Sequence, residues 1–280
     1  MEFIAEEGKL PKSSAAGLIL PALSIGNAGQ LAVDLLVSSR RALKIGYLDD
    51  PYVLPCVGND AYGPHPQGDL AVALEVYEDL EHDLCIIQQR SPVMKGTMIK
   101  FAKNLSSWAS AVGKKEVIII SSLDSGKMQE YGMNSQQIHY ISSAKADGTD
   151  DKCEELGWKK LEQFVPSQKG WQYLFSQLSQ EFVQDELFLA DDELTDEDYF
   201  SSLPFASLFS SCQAKGLKVT CLFCFCSEGD NMRDAFVLAE AVYKLLGLCA
   251  STSASNKNTE WVIPLSWKSV YGPGPDISIF

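Results

Sequence analysis

The stretch Leu18-Ile19-Leu20-Pro21-Ala22-Leu23-Ser24-Ile25-Gly26-Asn27-Ala28-Gly29-Gln30-Leu31-Ala32-Val33-Asp34-Leu35-Leu36 decides the fold. Its first six residues are a short apolar run, Gly26-Asn27-Ala28-Gly29 interrupts it, and Leu31, Ala32 and Leu35 follow at helical spacing in a segment that reaches Leu43. Strand, turn and helix follow in that order. Asn27 can accept from the first-turn amides while Gln30, three residues on, can reach back to its N–H, which is the logic of a capping box. Residues 44–48 read as a second short strand, so the opening predicts a βαβ-like unit.

Working outward, residues 1–16 show neither helical nor strand periodicity and read as a mobile lead-in. Downstream, Pro51, Pro55, Pro64, Pro66, Gly58, Gly63 and Gly68 impose turns and extended backbone around Val57, Gly58 and Asn59. Alternation at 70–77 and an apolar run at 84–89 predict a hairpin. Pro92 opens a segment to Val112 in which Met98, Phe101, Ala102, Leu105, Trp108 and Ala109 recur at three- and four-residue steps, the mark of a helix with one buried face. Strands follow at 116–122, where Val117 to Ile120 suits burial on both faces, and at 138–141.

Helices are expected at 204–216 and 231–246 around a strand at 217–226, with the turn Ser227-Glu228-Gly229-Asp230 before the last helix and Gly247 as its stop. Single helices between strands must cross over a sheet, so the expectation is one α/β domain with a mixed sheet covered on both faces. The boundaries are a lead-in at 1–16, the domain at 17–250, a polar linker at 251–259 and an aromatic C-terminal segment and tail at 260–280.

The charge balance excludes classes of partner. The 280 residues carry 23 Lys and Arg against 37 Asp and Glu, a net charge of −14, so nucleic acid and anionic membranes are repelled. Nine of the acids, with no Lys or Arg, lie in 181–198. That run reads as a solvated loop or helix face, with a docking surface for a basic partner as the alternative. No apolar run approaches the ~18–20 residues that cross a bilayer. Glu2, Glu6 and Glu7 stand where a signal peptide carries basic residues, so a cytosolic and nuclear location is expected, with the cysteines reduced.

The chemistry-bearing residue types do not assemble into a catalytic pattern. Cys221-x-x-Cys224 lies within a strand, where alternation puts the two thiols on opposite faces, and no second pair accompanies it. His65, His82 and His139 lack metal-ligand or triad spacing, and Gly-x-Ser-x-Gly is absent. No catalytic residue, metal ligand or cofactor site is expected. Two alternatives stay open. The Gly26–Gln30 loop, at the end of the first strand beside a helix N-terminus, reads as a structural turn or as a contact for an anion or an interface. Ile277, Ile279 and Phe280 combine apolar side chains with a terminal carboxylate, so they suit capture by a groove or fold back as an edge strand.

The run from Leu20 to Leu36 resembles the opening of the proteasome assembly chaperone 2 family. Lys44-Ile45-Gly46-Tyr47 with Val57-Gly58-Asn59, then Phe225-Cys226-Ser227-Glu228-Gly229-Asp230-Asn231, then Trp261-Val262-Ile263-Pro264-Leu265-Ser266-Trp267 are similar to that family in the same order. The resemblance implies a three-layer α/β/α sandwich of the phosphorylase/hydrolase-like kind. It implies a non-catalytic chaperone that pairs with proteasome assembly chaperone 1 and holds proteasome alpha-type subunits while their ring forms. Related tails end in a hydrophobic-Tyr-any motif that enters pockets between alpha subunits. Here the end is Ser278-Ile279-Phe280, without the tyrosine, which leaves Phe280 and its carboxylate as the anchor. The resemblance marks the loops at Gly26, Asn27, Gln30, Gly58 and Asn59 without assigning them a contact, and these loops are the expected partner interface. The competing expectation is a small-molecule enzyme of the same fold, phosphorylase- or hydrolase-like, holding an anion on the Gly26–Gln30 loop; a general scaffold with other clients is the third.

Overall fold

The structure is a computed structural model that describes residues 1–6, 9, 17–63, 70–126, 137–161, 196–248 and 261–269, with side chains left aside at 196–203 and 268–269. The lead-in at 10–16, the linker at 251–259, the tail residues Ile277, Ile279 and Phe280, and all but the last three residues of the acidic run lie outside the described residues.

The strands are β1 (Glu2–Ala5), β2 (Gly17–Pro21), β3 (Leu43–Asp49), β4 (Val57–Asn59), β5 (Leu70–Val72), β6 (Leu74–Asp79), β7 (Leu84–Gln89), β8 (Glu116–Asp124), β9 (His139–Ser142), β10 (Lys159–Lys160) and β11 (Lys218–Cys226). The helices are α1 (Ala28–Arg40), α2 (Met98–Ala111), α3 (Asp151–Glu155), α4 (Asp196–Ala214) and α5 (Met232–Leu246). Among the described residues nine strands form one sheet in the order β1-β3-β6-β7-β2-β8-β11-β9-β10, while β4 and β5 pair separately. β7, β2, β8 and β11 are mutually parallel at the centre, and antiparallel strands flank them.

Alternation along the central strands sorts side chains into two cores. Leu18, Leu20, Ile87, Val117, Ile119, Cys221 and Phe223 face α2 and α4, meeting Phe101, Leu105, Phe205 and Phe209. Ile19, Ile86, Ile118, Ile120, Leu222 and Cys224 face α1 and α5, meeting Val33, Leu36, Leu238 and Val242. Each fully buried Leu or Ile contributes ~1.5–3 kcal/mol, so the two layers hold the sheet between them. The expected three-layer α/β/α sandwich with a mixed sheet is the observed architecture. Gly29 shows how tightly α1 is seated: a Cβ there would lie 2.6 Å from the Ile120 carbonyl oxygen of β8.

Several local expectations need correction. Residues 2–5 are no lead-in: β1 pairs antiparallel with β3 from Glu2 opposite Asp49 to Ala5 opposite Gly46, and Phe3 packs 6.5 Å from Trp108. The β2–α1–β3 crossover is made, but β2 and β3 are not neighbours, because the β6–β7 hairpin inserts between them. The alternating run at 70–77 is two strands: β5 leaves with β4, and the Ala73 carbonyl between them accepts from the Arg90 amide. The first helix after that hairpin starts at Met98, not Pro92, since 92–97 make an irregular crossing in which Val93 bridges to Val53 and the Met94 amide donates to the Tyr52 carbonyl. α4 begins at Asp196 and contains Pro204 within it.

Candidate functional site

The carboxyl ends of β2, β8 and β11 lie side by side, at the edge where doubly wound folds place ligands. Here the chain's own side chains fill that edge. Gly26 and Asn27 both adopt left-handed backbone, at φ 61° and 50°. That conformation points the loop across to residues 228–231, where two hydrogen bonds join the segments and a third braces the second. The Gly26 amide donates to Glu228 Oε1 at 3.3 Å, Asn231 Nδ2 donates to the Gly26 carbonyl at 3.3 Å, and the same nitrogen donates to the Gly229 carbonyl at 3.1 Å. A side chain at Gly26 would run into the Asn231 amide. Beneath, Ser122 Oγ donates to the Ile25 carbonyl at 2.6 Å and lies 2.8 Å from Ser24 Oγ, while Cys226 Sγ reaches the same carbonyl at 3.4 Å. The two motifs that lie about two hundred residues apart therefore form one clasp.

The capping box does not form. Asn27 holds the N-cap position of α1 in left-handed conformation with no side-chain cap, and Gln30 instead offers its main-chain carbonyl to Gln88 Nε2 at 2.9 Å while its Oε1 is buried without a partner. Tertiary contact with Asn231 sets the backbone that the local motif would otherwise have set. At the start of α5, Asp230 Oδ1 accepts from the Met232 amide at 3.1 Å. For an anion, the clasp is a poor host, because the Gly26 amide already donates to a carboxylate.

Gly58 and Asn59 are placed elsewhere, on the β4–β5 ribbon, so the structure does not bring all five marked residues together. Val57 stands opposite Val72 and Asn59 opposite Leu70, on one ribbon face. Val57 is 69% exposed and Leu70 54%, with Leu54 at 42% just before the ribbon. Among the described residues this ribbon face carries exposed apolar side chains. Nothing among the described residues stands within 4 Å of where a Cβ of Gly58 would be.

Sequence reasoning missed the polar cluster that anchors this region. Asp34, inside the otherwise apolar face of α1, accepts from Tyr62 Oη at 2.5 Å, Gln88 Nε2 at 2.6 Å and Arg90 Nη2 at 3.1 Å. Arg90 Nε also donates to Glu75 Oε2 at 2.5 Å, and Lys44 lies 3.2 Å from Glu75 Oε1. Burial lowers the Arg90 pKa, but Asp34, Tyr62 and Glu75 outweigh it and leave the guanidinium more firmly charged than usual. Burial and the Asp34 charge push the Tyr62 phenol well up, so it stays a donor. The only signal in the sequence was one aspartate breaking an apolar helix stripe. The Trp261–Trp267 segment closes over the same side: Trp261 lies 4.7 Å from Tyr243, Trp267 lies 6.3 Å from Phe236, the Val262 amide donates to Ser39 Oγ and the Ser266 amide to the Ala61 carbonyl.

Asp79, Glu81 and His82 bring potential ligand atoms within 4.8 Å of one another. Arg40 occupies the cluster, donating from Nε to Asp79 Oδ2 at 2.8 Å and from Nη2 to Glu81 Oε2 at 2.9 Å, with His82 Nδ1 also on its guanidinium. A fixed cation already balances these carboxylates, so the set does not fit a metal ion. Burial opposes the charge on Asp79, yet the Arg40 hydrogen bond and the Glu81 amide hold its carboxyl below the usual range. His139 is fully buried on β9, its Nδ1 facing the Gln137 carbonyl at 3.1 Å and its ring edge-on to Phe225, and burial lowers its pKa. His65 lies outside the described residues. Cys221 faces α4 and Cys224 faces α5, as strand alternation requires, and no disulfide joins the described cysteines.

Comparisons with known proteins agree with this geometry. A family profile described as PAC2 family matches residues 18–259. The chain is 32% identical over 225 residues to a protein named proteasome assembly chaperone 2 from Nematostella vectensis, covering 79% of this chain and 85% of that one. It is 27% identical over 275 residues to the protein of the same name from Danio rerio, covering 97% of each. Among solved structures, an archaeal homolog of proteasome-assembly chaperone from Pyrococcus furiosus, PbaA, superposes with a TM-score of 0.58 over 86% of each chain at 18% identity, a likeness of fold. From a profile that matches residues 18–259 and a relative at 32% identity, the chain belongs to the PAC2 family.

Proposed function

We propose that this chain is a chaperone for assembly of the 20S proteasome core particle. In this reading it acts without catalysis as a heterodimer with proteasome assembly chaperone 1, in the cytosol and nucleus, and holds alpha-type subunits while their ring forms. The observation that carries the proposal is the near full-length likeness to proteins named proteasome assembly chaperone 2. The site geometry supports it: the edge where a related enzyme would bind substrate is filled by Glu228 and Asn231, while the β4–β5 ribbon offers apolar surface to a macromolecule. Around Gly58 and Asn59 the ribbon is the partner face; Gly26, Asn27 and Gln30 shape the adjoining end of α1; and Ile277, Ile279 and Phe280 supply an apolar anchor for the ring.

Co-expression with the partner chaperone and the seven alpha subunits, followed by size-exclusion chromatography and native mass spectrometry, tests the reading. The expected result is a stoichiometric chaperone pair that carries alpha subunits and loses part of them when 277–280 are deleted. A chain that elutes alone in the presence of all of them contradicts it.

A further inference from the structure

A cleft of about 410 Å³ opens between α5 and the segments that lead into β9 and β10. Its size lies within the ~300–1,000 Å³ of ligand-binding clefts. Ile138, Val237 and Ala241 give it apolar walls, the half-buried Trp158 indole forms one side, and the buried Cys224 thiol lies at its floor. Asp234, on the first turn of α5, contributes a half-buried carboxylate. The other charges are accounted for: Glu240 and Lys244 satisfy each other at 2.8 Å, and Arg233 is exposed. Asp234 makes no ion pair among the described residues.

That combination has one chemical complement. The half-buried Asp234 carboxylate shares the cleft with the Trp158 indole and makes no ion pair among the described residues, and a cation that reaches it past Ile138, Val237 and Ala241 fits best on a hydrocarbon stem. Burial pushes the Asp234 carboxyl up from its ordinary value, with Asp230 adding to it against its own amide and Arg233, so an incoming cation would relieve a real cost. We propose that this cleft receives an arginine side chain of a protein partner, its guanidinium paired with Asp234 and stacked on Trp158, its methylenes against Ile138, Val237 and Ala241. Arginine fits better than lysine because the planar guanidinium can fork onto a carboxylate and lie flat on an aromatic ring at once. The chain's net charge of −14 favours encounter with a basic partner. The inference goes beyond the chaperone reading, since it specifies what chemistry a partner presents, whichever protein that is.

The test uses the isotope-labelled full chain and a free probe, N-acetyl-arginine methylamide, with its neutral citrulline counterpart as control. The Trp158 indole N–H resonance, assigned with Trp158→Phe, reports on the cleft. The expected result is a saturable shift with the arginine probe and binding about tenfold weaker or worse for citrulline, a difference of about 1.4 kcal/mol. Asp234→Asn brings the arginine probe down to the citrulline level, and Asp234→Glu keeps part of the difference. No shift at the highest soluble probe concentration, equal binding of the two probes, or full arginine binding by the D234N chain with an unchanged melt each overturn the proposal.

Discussion

Two glycine–asparagine pairs stand in opposite surroundings. Gly26-Asn27 has left-handed backbone, is hydrogen-bonded to Glu228 and Asn231, and has no room for a side chain at Gly26. Gly58-Asn59 lies in an extended ribbon with open space around it and exposed apolar neighbours. The same dipeptide is a structural joint in one place and part of a free surface in the other. Polar groups near the clasp are turned inward to the chain itself, whereas Val57 and Leu70 of the ribbon are turned outward.

Substitutions separate the two roles, beginning with the largest effect. Gly26→Ala forces a left-handed alanine against the Asn231 amide and is expected to cost about 2–4 kcal/mol, read as a thermal melt lowered by several degrees. An unchanged melt would break the comparison at once. On the ribbon, Val57→Lys with Leu70→Lys is expected to leave the melt where it is and to weaken capture of the partner chaperone at least about tenfold, measured by titration calorimetry, because two desolvated apolar contacts become charged.

A smaller effect sharpens the account of the clasp. Glu228→Gln keeps an acceptor for the Gly26 amide but removes its charge, so a loss of at most about 1 kcal/mol is expected. In neither the wild-type chain nor this variant should phosphate or nucleosides raise the melt; a ligand at ~100 times its dissociation constant would add ~2.7 kcal/mol, so a shift would revive the enzyme reading. Smallest of all, Gly58→Ala places a methyl in open space and should change stability by no more than about 0.5 kcal/mol, checked by denaturant unfolding.

Much of this was legible from residue order, because periodicity is a local property. The buried strands β2, β7, β8 and β11 and the amphipathic helices α1, α2 and α5 follow directly from apolar spacing, and Gly247, at φ 71°, ends α5 as expected. What periodicity could not supply was contact between distant segments. The Gly26–Gln30 motif looks like a capping box on its own terms, and only Asn231 reveals why its backbone turns left-handed. β1 is four residues with mixed polarity, and its strand state comes from pairing with β3. Asp34 reads as a blemish in a helix stripe until Tyr62, Gln88 and Arg90 converge on it. In the candidate site, the loops were visible as motifs, but their division between a clasp and a ribbon was not.

The most direct measurement of the central claim is reconstitution of the chain with the partner chaperone and the alpha subunits, comparing wild type with the Val57→Lys, Leu70→Lys double variant by native mass spectrometry. The account predicts a complex with wild type and a free, fully folded chain for the variant. A wild-type chain that never enters a complex, or a variant that enters it as readily as wild type, would contradict it.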